Sequence, residues 1–143
     1  MTGAFGKVRP APRGLEACPC GGLPPGTSYD ECCGRFHAGA PAGGVEELMR
    51  SRYAAFALGD ADYLLRTWHP RTRPESLSLD PGHRWVGLQV LEVDGPGPGE
   101  DGGTVRYRAR SRAASGVEHV LEERSWFERR GGRWLYVDGD IAD

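Results

Sequence analysis

The chain has 143 residues, and its 18 basic and 20 acidic side chains give a formal net charge of −2. This near balance gives no general attraction for phosphate backbones, so nucleic acid is not an expected partner. No apolar run approaches the roughly 20 residues that span a bilayer, and residues 1–17 lack the apolar centre of a secretory signal. We therefore expect a cytoplasmic protein with no membrane contact.

The chain divides into three parts by composition. Residues 1–17 mix Gly, Pro and Arg without apolar periodicity, which predicts a flexible, basic lead-in. Residues 18–42 hold all the cysteines and end in a Gly/Ala/Pro-rich linker. Residues 43–143 have the apolar patterns of a folded domain, so we predict a domain boundary near Ala42.

The four cysteines form two close pairs, Cys18-Pro-Cys20 and Cys32-Cys33, joined by an eleven-residue loop. Two such pairs suit tetrahedral zinc, with each sulfur about 2.3 Å from the metal in a closed structural site. Cross-paired disulfides or four free thiols are the alternatives, because a bridge within either pair would be strained. A reducing compartment favours metal. We predict one zinc ion per chain on these four cysteines, with His37 as an alternative to Cys33.

Two helices are predicted next. Apolar residues recur with the helical period from Val45 to Phe56, and Gly59 is suited to cap the C-terminus of that helix. Asp60 can cap a second helix over Ala61 to Trp68, which a His-Pro dipeptide ends. The two helices form a predicted hairpin, and residues 71–84 are predicted to be mainly loop.

Four strands are predicted to follow the helices, at residues 85–93, 104–112, 117–129 and 133–138. Gly131-Gly132 suits the tight turn of a hairpin between the last two. The fold class is therefore α+β, with a helical hairpin and a four-stranded antiparallel sheet preceded by a small zinc knuckle.

The second strand carries a row of arginines on one face, Arg106, Arg108, Arg110 and Arg112, while Val105, Tyr107 and Ala109 share the other. The row could bind phosphate or RNA, but such rows are more often solvated strand faces. Acids on the next strand can pair with it, namely Glu118, Glu122, Glu123 and Glu128.

The cysteine segment contains Cys-Pro-Cys-Gly-Gly and Tyr-Asp-Glu-Cys-Cys-Gly, which resemble the SEC-C zinc motif known from the C-terminal tail of the SecA translocation ATPase. The resemblance implies zinc ligation by Cys18, Cys20 and Cys32, with Cys33 where that motif has Cys or His. This chain departs from the motif in having Gly22-Leu23 in place of Ser-Gly and a longer loop between the pairs.

Further segments between residues 18 and 140 resemble the YchJ family, including Leu48-Met49-Arg50-Ser51-Arg52-Tyr53, Thr67-Trp68-His69-Pro70, Trp85-Val86-Gly87-Leu88, Glu123-Arg124-Ser125 and the stretch from Arg133 to Asp140. The resemblance implies a SEC-C motif followed by a nuclear transport factor 2-like, cystatin-like domain, in which a curved sheet forms a cone around a helix. It implies no established reaction.

Three functions are compatible with these patterns. The favoured one is a non-catalytic adaptor that presents the knuckle loop, around Pro24, Pro25 and Tyr29, to a protein partner. A small-molecule-binding protein or enzyme that uses the cone cavity is the second, and a thiol redox or zinc switch is the third. By analogy of fold, the domain is also expected to form a homodimer.

An enzyme would need catalytic groups in the cone. The candidates are His69 as a general base and Arg52, Glu122, Arg124 and Asp138 as charged partners. They predict a cavity of about 300 Å³ or more. The competing interpretation is a structural His69 and an Arg52 paired with Glu122 or Glu123. On balance the residues favour a non-enzyme.

Overall fold

The computed structural model describes residues 14–142, so residues 1–13 of the predicted lead-in lie outside the described residues. The described elements are a 3-10 turn (Tyr29–Glu31), α1 (Cys33–His37), α2 (Val45–Leu58), α3 (Ala61–Arg66), β1 (Arg84–Asp94), β2 (Gly102–Arg112), β3 (Glu118–Arg130) and β4 (Arg133–Ile141). The predicted α+β class is confirmed. The 3-10 turn and α1 are elements that the sequence analysis did not predict.

Helix α2 forms where the apolar period predicts it. Val45, Leu48 and Met49 are buried, as is Tyr53 one turn further on. The helix ends at Gly59, whose φ of 77° is left-handed. A residue with a Cβ atom adopts this conformation only at a cost, which explains glycine at the cap.

Helix α3 is shorter than predicted. Asp60 caps it as expected, because its Oδ1 accepts a hydrogen bond from the Tyr63 backbone N–H at 3.0 Å. The helix ends at Arg66 and not at Trp68. Beyond Arg66 the backbone pairs with strand β4: Tyr136 N donates to Thr67 O at 2.8 Å, and His69 N donates to Tyr136 O at 2.7 Å. Pairing with β4 therefore replaces the last predicted turn.

The four strands form one open sheet in the order β1-β2-β3-β4, and each neighbouring pair is antiparallel. Gly131 and Gly132 make the turn between β3 and β4 with φ angles of 59° and 79°. Positive φ at both central positions is what a two-residue hairpin of type I′ requires. None of the helices in residues 14–142 is long and apolar enough to cross a membrane.

The two faces of the sheet differ as the alternation predicts. Val105 and Ala109 are buried on the inner face. On the outer face, Arg106 and Arg108 both bond to Glu122 at 3.0 Å. Arg112 pairs with Glu118 at 3.1 Å. The arginine row is thus neutralised by acids across the strands.

Two of the predicted acidic partners do not join this ladder. Glu123 is buried, because it stands opposite Tyr107 in the register and lies on the inner face. Glu128 bonds instead to His69, with Oε1 at 2.9 Å from Nε2. The predicted pairing is therefore correct for Glu118 and Glu122 and wrong for the other two.

The core is continuous from the cysteine segment into the sheet. The four cysteines form one buried cluster with Tyr53 and Ala54 of α2 and Ala109 of β2. A second cluster packs Val45, Leu48 and Met49 of α2 against Phe127 and Trp134. The cysteine segment thus packs directly on the α+β domain.

Candidate metal centre

The first cysteine pair lies in a tight turn. The Gly21 backbone N–H donates to Cys18 O at 2.9 Å, and the Gly22 N–H donates to the Cys20 sulfur at 3.3 Å. Gly21 and Gly22 have φ angles of 94° and 90°. These left-handed conformations need glycine, and they turn the chain so that a backbone donor faces the sulfur.

The second pair follows the 3-10 turn. The Cys32 N–H donates to Tyr29 O at 3.1 Å, and α1 begins at the next residue, Cys33. Backbone pairing between Ala17 and Ser28 holds the two halves of the segment together. Local structure therefore brings the two cysteine pairs to the same place.

The four sulfur atoms all lie within 4.8 Å of one another. Each cysteine is at most 4% exposed. All four are free thiols, and the sulfurs of Cys20 and Cys32 are 3.6 Å apart. Cross-paired disulfides are therefore not formed, and the cluster has the donors and the compactness of a four-coordinate metal site.

Negative charge in this cluster concentrates on Cys20. Its pKa is lowered to about 2 by hydrogen bonds from the thiols of Cys18 and Cys33, against the opposing effect of burial. The bond with Cys20 raises the pKa of Cys18 to about 12. The bond with Cys18 likewise raises the pKa of Cys33. A thiolate on Cys20 thus disfavours ionisation of Cys18 and Cys33, and a divalent cation bound there would offset this repulsion.

Helix α2 supplies a positive charge beside Cys20 that the sequence analysis missed. Arg50 donates from Nη1 to Cys20 O at 2.9 Å and from Nε to Glu46 at 2.9 Å. Burial opposes its charge, but the bonds to Glu46 and Cys20 outweigh burial and raise the pKa of Arg50. Arg35 also lies beside the cluster and donates from Nε to Cys32 O at 3.1 Å.

His37 does not point at the sulfurs. Its Nδ1 lies 2.7 Å from the Tyr29 hydroxyl, and its Nε2 lies 2.9 Å from Ser51 O. The carbonyl can only accept, so Nε2 donates to Ser51 O and Nδ1 accepts from Tyr29. Because both ring nitrogens are occupied, His37 joins the knuckle to α2, and Cys33 remains the fourth thiol of the cluster.

Of the predicted catalytic candidates, Arg52 alone lines the cavity between α2 and the inner face of the sheet. This cavity of about 140 Å³ is less than half the size that the enzyme interpretation predicts. It also contains Trp68 and the acid Glu123, which is the inner-face neighbour of the predicted Glu122. Burial raises the pKa of Glu123.

The other candidates lie elsewhere. His69 is 3% exposed, and its Nδ1 accepts from the Arg71 N–H at 3.0 Å while its Nε2 bonds to Glu128. Glu122 and Arg124 belong to the outer face, where Arg124 donates to Glu92 at 3.2 Å. Asp138 is exposed and accepts from the Gly139 N–H. The structure does not bring the predicted catalytic groups together.

The fold and the cysteine cluster together define the class of protein, a cysteine knuckle of the SEC-C type on an NTF2-like α+β domain. The model of the YchJ middle NTF2-like domain matches residues 44–139. A UPF0225 protein of Streptomyces coelicolor is 54% identical over 127 residues, covering 88% of this chain and 96% of that protein. One from Deinococcus radiodurans is 44% identical and covers 87% of this chain and 88% of its own length. The chain belongs to the YchJ-like, UPF0225 family.

A solved structure agrees with this assignment. A SEC-C motif containing protein from Rhodopseudomonas palustris has a similar fold, with a TM-score of 0.74 at 36% identity. The similarity covers 90% of this chain and all of the other. The 90% of this chain that aligns is longer than the matched domain, residues 44–139, so it includes part of the cysteine segment as well as the α+β domain.

Proposed function

We propose that Cys18, Cys20, Cys32 and Cys33 bind one zinc ion as four thiolates, and that the metal is structural. The observation that carries this proposal is the burial of four sulfurs within 4.8 Å of one another. Four protein thiolates complete a tetrahedral site and leave no position for water, which catalytic zinc requires. The proposed role of the metal is to fix the knuckle against α2.

The energetics support a structural role. From Ala17 to Cys33 the described chain has one 3-10 turn, one isolated bridge between Ala17 and Ser28, and a few turn hydrogen bonds. This is little structure to hold four buried thiols together. Zinc binding contributes on the order of 10–16 kcal/mol in small zinc modules, which is enough to order such a segment.

Zinc content tests the proposal. We expect one zinc per chain in the natural protein and none in Cys32→Ser/Cys33→Ser, with a lower midpoint of thermal unfolding for the double variant. Glu31→Ser is the matched control, because it replaces an exposed neighbour and keeps all four thiols. A natural protein without zinc whose thiols titrate freely would overturn the proposal.

We further propose that the knuckle loop, residues 21–27, binds a protein partner. Pro24 and Pro25 are exposed, and the loop is closed by bonds from the Thr27 hydroxyl and N–H to Pro24 O at 2.6 and 3.1 Å. A loop already held in shape loses little conformational freedom on binding. Tyr29 turns inward to His37 and is not part of this surface.

The loop proposal is tested by affinity capture from a bacterial extract. A protein held by the natural chain should be lost with Pro24→Ser/Pro25→Ser and with Cys32→Ser/Cys33→Ser, and kept with the linker control Pro41→Ser. Equal capture by all four proteins would contradict a role for the loop.

Burial of the cluster argues against the redox alternative. Oxidants react with thiolates that they can reach, and the four cysteines are 1–4% exposed. We expect zinc to stay bound in mild peroxide, as measured by release to a colorimetric chelator. Release that thiol reduction reverses would favour the switch instead.

A further inference from the structure

The cavity between α2 and the sheet has the size of a single small ring. Its volume is about 140 Å³. A dry protein cavity of about 150 Å³ is known to accept benzene. Tyr53 and Phe56 of α2, Trp85 of β1 and Phe127 of β3 contribute apolar surface to it. These side chains form a lining that suits an apolar group.

One end of this cavity holds a positive charge that forms no direct ion pair with a described residue. Arg52 is 6% exposed, and both of its hydrogen bonds come from Nη1, to Leu64 O at 2.8 Å and Thr67 Oγ1 at 2.7 Å. Within residues 14–142, Nε and Nη2 have no hydrogen-bond partner, and no carboxylate oxygen lies within 4.0 Å of the guanidinium. The ring centres of Trp68 and Tyr136 lie 5.0 and 4.5 Å from the guanidinium carbon, and these rings stabilise its charge but supply no anion. The site is therefore complementary to an anionic group.

A second donor lies beside this charge. Trp68 Nε1 is buried and has no hydrogen-bond partner among the described residues. The Arg52 guanidinium carbon lies 5.0 Å from the centre of the Trp68 ring. Both groups can only donate, so the group that would satisfy them is an acceptor with negative charge. A carboxylate has two oxygens and can bond to a planar guanidinium with both.

Glu123 is the acid of the cavity, and it attracts the Arg52 charge without forming a direct ion pair with it. Its Oε2 accepts from Ser125 Oγ at 2.7 Å. Burial raises the pKa of Glu123, against hydrogen bonds from Ser125 and Tyr107 that lower it. Because Glu123 already accepts from Ser125, the groups without a partner at this end of the cavity, among the described residues, are donors of Arg52 and Trp68.

We propose that the cavity binds a small monocarboxylic acid with an apolar tail, of about the size of benzoate. The carboxylate bonds to Arg52 and to Trp68 Nε1, and the tail packs against the aromatic side chains of α2 and β1. This site is separate from the cysteine cluster and does not depend on the proposed zinc or loop functions.

The charge of the ligand is tested with three probes of one shape, benzoate, benzyl alcohol and benzylamine. We expect benzoate to shift the amide NMR signals of cavity residues and to bind about tenfold more tightly than benzyl alcohol, because a hydrogen bond to a charged group is the stronger one. Benzylamine should not bind. No shifts at millimolar benzoate, equal binding of the alcohol, or tighter binding of the amine would each overturn the proposal.

A pair of matched variants tests the residues. Trp68→Phe keeps an aromatic ring and removes the free N–H, so benzoate should bind threefold to about tenfold more weakly. Trp126→Phe makes the same change at a partly exposed position outside the cavity and should leave binding unchanged. Circular dichroism verifies that both variants are folded. Equal affinity of the Trp68→Phe variant and the natural protein would remove Trp68 from the site and contradict the assignment.

Discussion

Glu122 and Glu123 are adjacent in β3, and their ionisation has opposite effects on the stability of the folded protein. Burial raises the pKa of Glu123 above its ordinary 4.5, so the folded state holds a proton that the unfolded state releases. Its contribution to stability is present below about pH 4.5 and is lost as pH rises through the folded pKa. Hydrogen bonds from Arg108 and Arg106 lower the pKa of Glu122, so its contribution is lost on acidification.

This difference predicts the pH dependence of two variants. As pH rises above about 4.5, the free energy of unfolding of Glu123→Gln should fall less than that of the natural protein, because the variant has no buried carboxyl group that loses a proton. The free energy of unfolding of Glu122→Gln should rise less with pH than that of the natural protein over about pH 3 to pH 5. Urea unfolding at each pH measures both. Equal slopes for Glu123→Gln and the natural protein would contradict the burial of this carboxyl group.

At the scale of the element, Asp60 decides where α3 begins. Its carboxylate accepts a bond from the Tyr63 N–H, and replacement of such a cap by alanine costs about 0.5–2 kcal/mol. We expect Asp60→Ala to lose stability in this range by chemical denaturation and Asp60→Asn to keep most of it. Asp62→Ala, in the same turn but exposed, is the control. Equal losses at the two positions would argue against the cap.

Arg50 is one of the contacts through which α2 supports the cysteine cluster. Partners outside the ligand set commonly change metal affinity by about 10–100-fold. If the cluster binds zinc, Arg50→Met should release the metal to a competing chelator at lower chelator concentration than the natural protein. Arg73→Met, an exposed arginine in the loop after α3, should not. If Arg50→Met retained zinc as tightly as the natural protein, the role of this arginine would be limited to packing.

The elements were largely predictable because their signals are local. The apolar period of α2, the Asp60 cap, the alternation in β2 and the glycine turn each act within a few residues, and all are found. The failures depend on distant partners. Trp68 leaves the helix to pair with β4, and Glu123 turns inward because of the register with Tyr107. Neither the strand register nor the contact of Arg50 with Cys20 can be calculated from local pattern.

At the scale of the molecule, some residues lie between the cysteine cluster and the cavity and contact both, and we call them the shared wall. Tyr53 and Ala109 pack against the cysteines, and both also line the cavity. The cysteine cluster was predictable from its spacing, but this shared wall was not, because the predicted boundary near Ala42 treats the two parts as separate. The shared core implies that the proposed metal stabilises the helix and the sheet as well as its own loop.

Hydrogen exchange of the zinc-loaded and chelator-treated protein tests this account most directly. If zinc fixes the knuckle in a shared core, removal of the metal should increase amide exchange in residues 18–33 and also in α2 from Leu48 to Phe56 and in β2 near Ala109. The exposed hairpin turn at Gly131 should exchange equally in both states. An increase confined to residues 18–33, with α2 and β2 unchanged, would contradict the shared core and show the knuckle to be an independent unit.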